Sequence, residues 1–145
     1  MKKSGKKIAA MAAAVVMMFS GSAIGASAGT VIEKNDSYNG TYMRMLCATK
    51  VYTGTYKTYS RNLTTYLNST KRFCLAKAQV VNSSFSLIDG QTQSGALSKG
   101  GILTPNITVN NSKAATTTYY SEVHKTTSSS SSVIENRRIN VSLRV

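Results

Sequence analysis

Arg138-Ile139-Asn140-Val141-Ser142-Leu143-Arg144-Val145 decides the fold class of this chain. Ile139, Val141, Leu143 and Val145 alternate with Arg138, Asn140, Ser142 and Arg144, and a period of two marks a strand with one face in a core and the other in water. The same period recurs upstream. Over residues 41–51 the apolar set Met43, Met45, Cys47 and Val51 alternates with Tyr42, Arg44, Lys50 and, just beyond, Tyr52. Over residues 71–81, Cys74, Ala76, Ala78 and Val80 form a small-residue face; Lys71, Lys77 and Gln79 lie opposite, together with Phe73 and Leu75. Weaker strand candidates occupy 85–88, 102–109 and 116–124, and Val31 and Ile32 begin a first strand. Turns are expected at Asn39-Gly40, Asp89-Gly90 and Gly100-Gly101, and the serine tract at 128–132 reads as a polar hairpin loop. Pro105 has no N–H to give to a ladder, which demotes 102–109 to an edge strand or a broken one.

No apolar pattern at helical spacing is sustained after the first residues. Closely spaced strands without intervening helices favour antiparallel pairing, because parallel strands need long crossovers. The expectation is an all-β chain: a small antiparallel β-sandwich, immunoglobulin-like, of seven or eight strands, with a closed barrel as the lesser alternative.

The first twenty-eight residues read differently. Lys2, Lys3, Lys6 and Lys7 precede an apolar run of twelve residues at 8–19, too short to span ~30 Å of hydrocarbon as a helix, and Ala26-Ser27-Ala28 supplies an A-x-A cleavage pattern. This is the pattern of a secretory signal peptide cut after Ala28, leaving one domain of 117 residues at 29–145. Neither cysteine stands at the end of the leader where lipid attachment would need it, and no apolar tail or sorting motif closes the chain. The expected product is therefore secreted and unanchored.

Two cysteines, Cys47 and Cys74, would then meet an oxidising compartment, and an even count there reads as a disulfide. Closing that loop would remove unfolded-chain entropy worth about 3.5 kcal/mol. The two alternations turn both sulfurs toward the core, so the bridge could run either across a sandwich or between neighbouring strands.

The leader takes four of the eighteen basic residues, leaving fourteen against five acids, a formal charge of +9. Outside a cell the common polyanions are wall polymers, lipid head groups and acidic polysaccharides, and such a charge favours fast, salt-sensitive association with them. Nucleic acid is disfavoured by location. Solubility alone is the simpler account of the charge.

Chemistry is sparsely represented. The acids Glu33, Asp36, Asp89, Glu122 and Glu135 form no paired-carboxylate motif. Glu122 and His124, two apart on one strand, would share a face, most simply as a solvent-facing ion pair. No nucleophile elbow, phosphate loop or dinucleotide fingerprint is present. One histidine and two sulfurs fall short of a structural zinc set. No enzyme activity, metal or other cofactor is expected. The more suggestive constellation is Lys50, Tyr52, Tyr56, Lys57, Tyr59, Arg61 and Tyr66, followed by Lys71 and Arg72. Tyrosine faces beside cations suit sugar rings joined to anionic groups. The structural alternative is that tyrosine is a favoured strand residue and lysine blunts exposed edges.

Lys71-Arg72-Phe73-Cys74-Leu75-Ala76-Lys77-Ala78-Gln79-Val80-Val81-Asn82, then Gly90 and Gly95, then 115–120 with its paired tyrosines, resembles the lactococcin 972 family of secreted bacteriocins. The resemblance covers about half of the exported part. This chain is longer than those bacteriocins, contains no tryptophan where they carry it, and has a cysteine pair they do not characteristically use. The resemblance implies a compact β-sandwich that binds a cell-wall precursor and blocks envelope synthesis in related bacteria; it transfers no individual residue role. The leading expectation is thus a non-enzymatic, cationic, secreted sandwich that binds an anionic cell-wall polymer, wall precursor or membrane surface. The alternative is a structural cell-surface or biofilm-matrix protein that self-associates through uncapped strand edges.

Overall fold

The structure, a computed structural model, describes residues 31–52, 57–67 and 70–144, with 52 and 57–64 described by backbone alone. The expected leader, Tyr56 and Val145 lie outside the described residues. Nine strands are present among them: β1 (Val31–Asn39), β2 (Met43–Tyr52), β3 (Lys57–Tyr66), β4 (Arg72–Val81), β5 (Leu87–Leu97), β6 (Ile102–Leu103), β7 (Asn106–Asn110), β8 (Thr116–His124) and β9 (Val133–Ser142). The first sheet runs β1-β2-β3, with β6 and β7 both pairing with β3; the second runs β5-β4-β8-β9. Every pairing is antiparallel. The described residues are all-β and form two antiparallel sheets, as the alternating segments require.

The alternation locates the core. Met43, Met45, Cys47 and Val51 from β2 meet Cys74, Ala76, Ala78 and Val80 from β4, Tyr119 and Val123 from β8, and Ile139, Val141 and Leu143 from the last strand and its extension. Arg138, Asn140, Ser142 and Arg144 are exposed, as the period of two demands.

The strand count exceeds the expected seven or eight for two reasons. Pro105 splits 102–109 into β6 and β7, at the edge of the first sheet. More instructively, β3 lies where no strand alternation is visible. Its positions opposite the core-facing residues of β2 and β7 include Thr58, Ser60, Asn62 and Thr64, so this strand has no apolar stripe to read.

Two turn expectations hold and one is corrected. Gly40 follows β1, where a Cβ would lie 2.5 Å from Glu135 Oε1 and 2.7 Å from the Tyr38 ring. Gly100 takes φ 81°, a conformation that costs glycine little. Asp89-Gly90, by contrast, is no turn. Both residues lie inside β5, with Gly90 opposite Gln79. The reversal comes earlier, at 82–86, where Asn82 Oδ1 accepts the backbone N–H of both Ser84 and Ser86, each at 2.9 Å. An asparagine can replace the Asp-Gly signal because its side chain caps a turn in the same way.

The two sheets are also joined along their sides. Breaking the ladder at Pro105 leaves backbone groups that need partners, and glutamines from β5 supply them. Gln93 Oε1 accepts Thr104 N–H at 2.9 Å, and Gln91 Oε1 accepts Asn106 N–H at 2.7 Å. On the other side Lys34 Nζ donates to the carbonyls of Ser142 and Arg144, at 2.6 and 2.8 Å.

The expected Cys47–Cys74 bridge is not formed. Both residues are buried and point inward, yet they remain separate thiols beyond bonding distance. The strand arrangement explains this: β2 faces β8 and β9 across the sandwich, whereas β4 faces β3 and β7. Cys47 therefore has no cysteine opposite it. Burial pushes its thiol pKa up, reinforced by Asp36, its cross-strand partner on β1. Burial likewise raises Cys74, to about 11, against the lowering effect of Arg72.

Candidate functional site

The register divides the Lys/Tyr constellation into two places. Lys50 pairs with Tyr59, Tyr52 with Lys57, and Ala48 with Arg61. Because Met43, Met45, Cys47 and Val51 occupy the inward positions of β2, these paired residues and Arg44 fall on the outward face of the first sheet. Four cationic and two tyrosine positions thus share two central strands. Glu33, opposite Lys50, is the acid on this face among the described residues. Lys50 Nζ lies 3.4 Å from Glu33 Oε1, so its charge is partly offset locally. The buried Nε of Arg44 has no hydrogen-bond partner among the described residues.

Tyr66, Lys71 and Arg72 sit elsewhere, at the end of the sandwich where the chain passes from β3 to β4. Tyr66 is a correction to the expected contact surface: its side chain is completely buried opposite Met43 in the core. Parity carries the reason. Tyr66 is an odd number of residues from Tyr59 and Arg61, so the pleat sends it to the other face. Burial raises its pKa, with the charge of Arg72 and a hydrogen bond from the Arg72 side chain acting in the opposite direction. Lys71 is exposed. Arg72 is half-buried, donates from Nη1 to the Lys125 carbonyl, and places its guanidinium carbon 5.1 Å from the centre of the Tyr42 ring. Tyr56 lies outside the described residues.

A second polar cluster occupies the outward face of the second sheet. Glu122 and His124 do share a face, but they form a largely enclosed pair rather than a solvent-facing one. Glu122 Oε1 lies 2.8 Å from His124 Nε2, with side chains 17% and 6% exposed. Tyr120 donates to Glu122 Oε2 at 2.7 Å, and His124 Nδ1 lies 2.8 Å from the Ser131 carbonyl. Both imidazole nitrogens thus face oxygen atoms, Glu122 Oε1 and the Ser131 carbonyl. Burial works to raise the Glu122 pKa, but hydrogen bonds from His124 and Tyr120, and the charges of His124 and Lys77, outweigh it and hold the carboxyl low. Tyr120 is pushed up to about 12 by burial and by Glu122. The cluster fastens the serine loop, 125–132, to β8; Phe73 meets the His124 ring edge-on at 4.9 Å. Among the described residues the two imidazole nitrogens meet the Ser131 carbonyl and the Glu122 carboxylate, not a nucleophile.

Among the described residues no three His, Cys, Asp or Glu side chains converge as metal ligands. In comparisons with known proteins the chain matches no family model, no curated protein and no solved structure.

Proposed function

We propose that this chain is an exported, non-enzymatic β-sandwich that binds an anionic component of the bacterial envelope, with lactococcin 972-like antagonism as its sharpest form. One observation carries the reading: strand register gathers Arg44, Lys50, Lys57 and Arg61 with Tyr52 and Tyr59 on one sheet face, against Glu33. Cations beside aromatic positions suit a polymer that alternates sugar or polyol units with phosphate or carboxylate. The leader at 1–28 would deliver the product outside the cell, where the +9 left after cleavage meets such polymers. Pairing of β3 with β7 and of β4 with β8 supports an immunoglobulin-like reading of the sandwich.

Self-association is the second reading. It is favoured by β5, a terminal strand of eleven residues whose single charge is Asp89. Salt-titrated pull-down on isolated cell walls, with light scattering across concentration, separates the two. Wall binding by a monomer supports the first; concentration-dependent growth without wall binding supports the second.

A further inference from the structure

We propose that the turn joining β4 to β5 inserts into the interfacial layer of an anionic lipid bilayer, with Phe85 entering first, Leu87 behind it, and Lys113 and Arg144 on the lipid headgroups. This deepens the envelope-binding reading by naming a lipid surface, and rests on it for export to one. The first observation is a phenylalanine that packing does not reward. Phe85 takes φ 60°, a left-handed conformation that suits glycine or asparagine and is rare for a bulky side chain. The turn holds it there. Phe85 N–H donates to the Asn82 carbonyl and Asn82 N–H to the Ser86 carbonyl, both at 3.0 Å, while Asn82 Oδ1 takes the N–H groups of Ser84 and Ser86. Burial does not offset the strain, because Phe85 is 71% exposed. Strain of this kind is kept where presenting a side chain matters. Leu87, opposite Val81, is 60% exposed. These are the two most exposed large apolar residues among those described, and one hairpin carries both.

The second observation is the charge beside them. Thr116 pairs with both Val81 and Ser142. Ala115 N–H donates to the Val81 carbonyl and Leu143 N–H to the Ala115 carbonyl, each at 2.9 Å. The 82–86 turn, the 111–115 loop and the end of the last strand therefore leave the second sheet at one end, side by side, and at strand spacing they lie within about 15 Å. Lys113 and Arg144 are exposed there. Lys34, which donates to the Ser142 and Arg144 carbonyls, adds a third positive charge. Asp89, exposed on the same hairpin, opposes them; Glu33, next to Lys34, is offset by Lys50 at 3.4 Å.

Two apolar side chains on a convex turn are far fewer than the roughly 20–30 residues that each partner brings to a stable protein interface. A bilayer asks for no such complementarity. Apolar side chains enter the boundary between headgroups and acyl chains, while lysine and arginine stay with anionic headgroups. An apolar tip with basic shoulders has that division.

The chain contains no tryptophan, so Phe85→Trp places a single reporter on the turn. The control is Val133→Trp, exposed at the far end of the second sheet opposite His124. Each full-length variant is titrated with vesicles of mixed phosphatidylglycerol and phosphatidylcholine, and with vesicles of phosphatidylcholine alone. Phase-transfer of the turn should appear as a blue shift of Phe85→Trp emission and its quenching by brominated lipid on the anionic vesicles, with a smaller shift on neutral ones and none for Val133→Trp. Adding Leu87→Ser to Phe85→Trp should raise the lipid concentration at half-shift roughly tenfold, the scale of withholding one large apolar side chain from burial. Phe85→Gly should not lower the urea midpoint, since glycine relaxes the turn; a fall would show that the ring supports the fold and overturn the proposal. No shift on anionic vesicles, an equal shift on both vesicle types, or an equal shift from Val133→Trp also overturns it. So does a blue shift that grows with protein concentration in the absence of lipid, which would assign the turn to a second copy of the chain. Wall binding without insertion loses the turn alone; insertion without salt-sensitive wall binding loses the cationic sheet face and keeps the turn.

Discussion

Glu135 reaches from β9 across the sandwich to the β1–β2 turn, where its Oε2 accepts the backbone N–H of Met43 at 2.9 Å. The same carboxylate takes the N–H groups of Thr41 and Tyr42, so one side chain satisfies three donors of a turn in the opposite sheet. Glu135→Gln keeps the shape but loses the charge and one acceptor oxygen. It should cost about 1–3 kcal/mol in urea unfolding, the range for hydrogen bonds to a charged group. Gly40→Ala should destabilise comparably, since its Cβ would collide with this carboxylate.

Two fully buried tyrosines should differ in what their hydroxyls contribute. Tyr119 donates to the Ala48 carbonyl at 2.9 Å and meets the Thr49 hydroxyl, bridging the two sheets through the core. Tyr119→Phe leaves those groups without their partner and should lose about 1–3 kcal/mol by urea titration. Tyr66→Phe should cost less, because the Tyr66 hydroxyl meets the half-buried Arg72 side chain rather than a fully buried pair joining the two sheets.

Acid should weaken the fold partly through Glu122. Its carboxyl is held below the ordinary range in the folded chain, so its contribution is complete above the unfolded carboxylate value of about 4.3. That contribution is lost as pH falls through the lower folded value, because the unfolded chain binds the proton first. Urea midpoints measured from neutral pH down into that window should fall less for Glu122→Gln than for wild type.

Cys47 and Cys74 should titrate as two thiols in the unfolded chain, with no mass change on reduction. In the folded chain both should alkylate slowly at mildly alkaline pH, since each is buried and the thiolate is the reactive form. Mass spectrometry after alkylation, native and denatured, reads both outcomes; a mass two hydrogen atoms below that of the reduced chain would restore the bridge that the structure lacks.

Most of the core was legible because apolar residues alternate with wet ones along β2, β4 and the last strand. Residue-level reading failed where backbone pairing, not side-chain hydrophobicity, defines an element. In β3, threonine, serine and asparagine occupy positions opposite core residues of β2, and only the register with Met45, Cys47 and Thr49 reveals the strand. Asp89-Gly90 is a turn signal overridden by Asn82, whose side chain makes the reversal several residues earlier. The Cys47–Cys74 pairing followed from counting, and counting says nothing about which strands face each other. In the candidate site the interleaving of cations and tyrosines was visible, but its division into a sheet face and a buried end was not. Parity within β3 holds that information: Lys57, Tyr59 and Arg61 fall on one face, and Tyr66 on the other.

The cationic face is tested most directly by binding of the full chain to isolated bacterial cell walls from about 0.05 to about 0.5 M salt, a range over which the screening length shortens severalfold. Wild type and the double variant Lys57→Ser/Arg61→Ser are compared. Wild type should bind walls with an affinity that weakens steeply with salt, and the variant should bind more weakly with a shallower salt slope. Binding that ignores salt, or is the same in the variant, would contradict it.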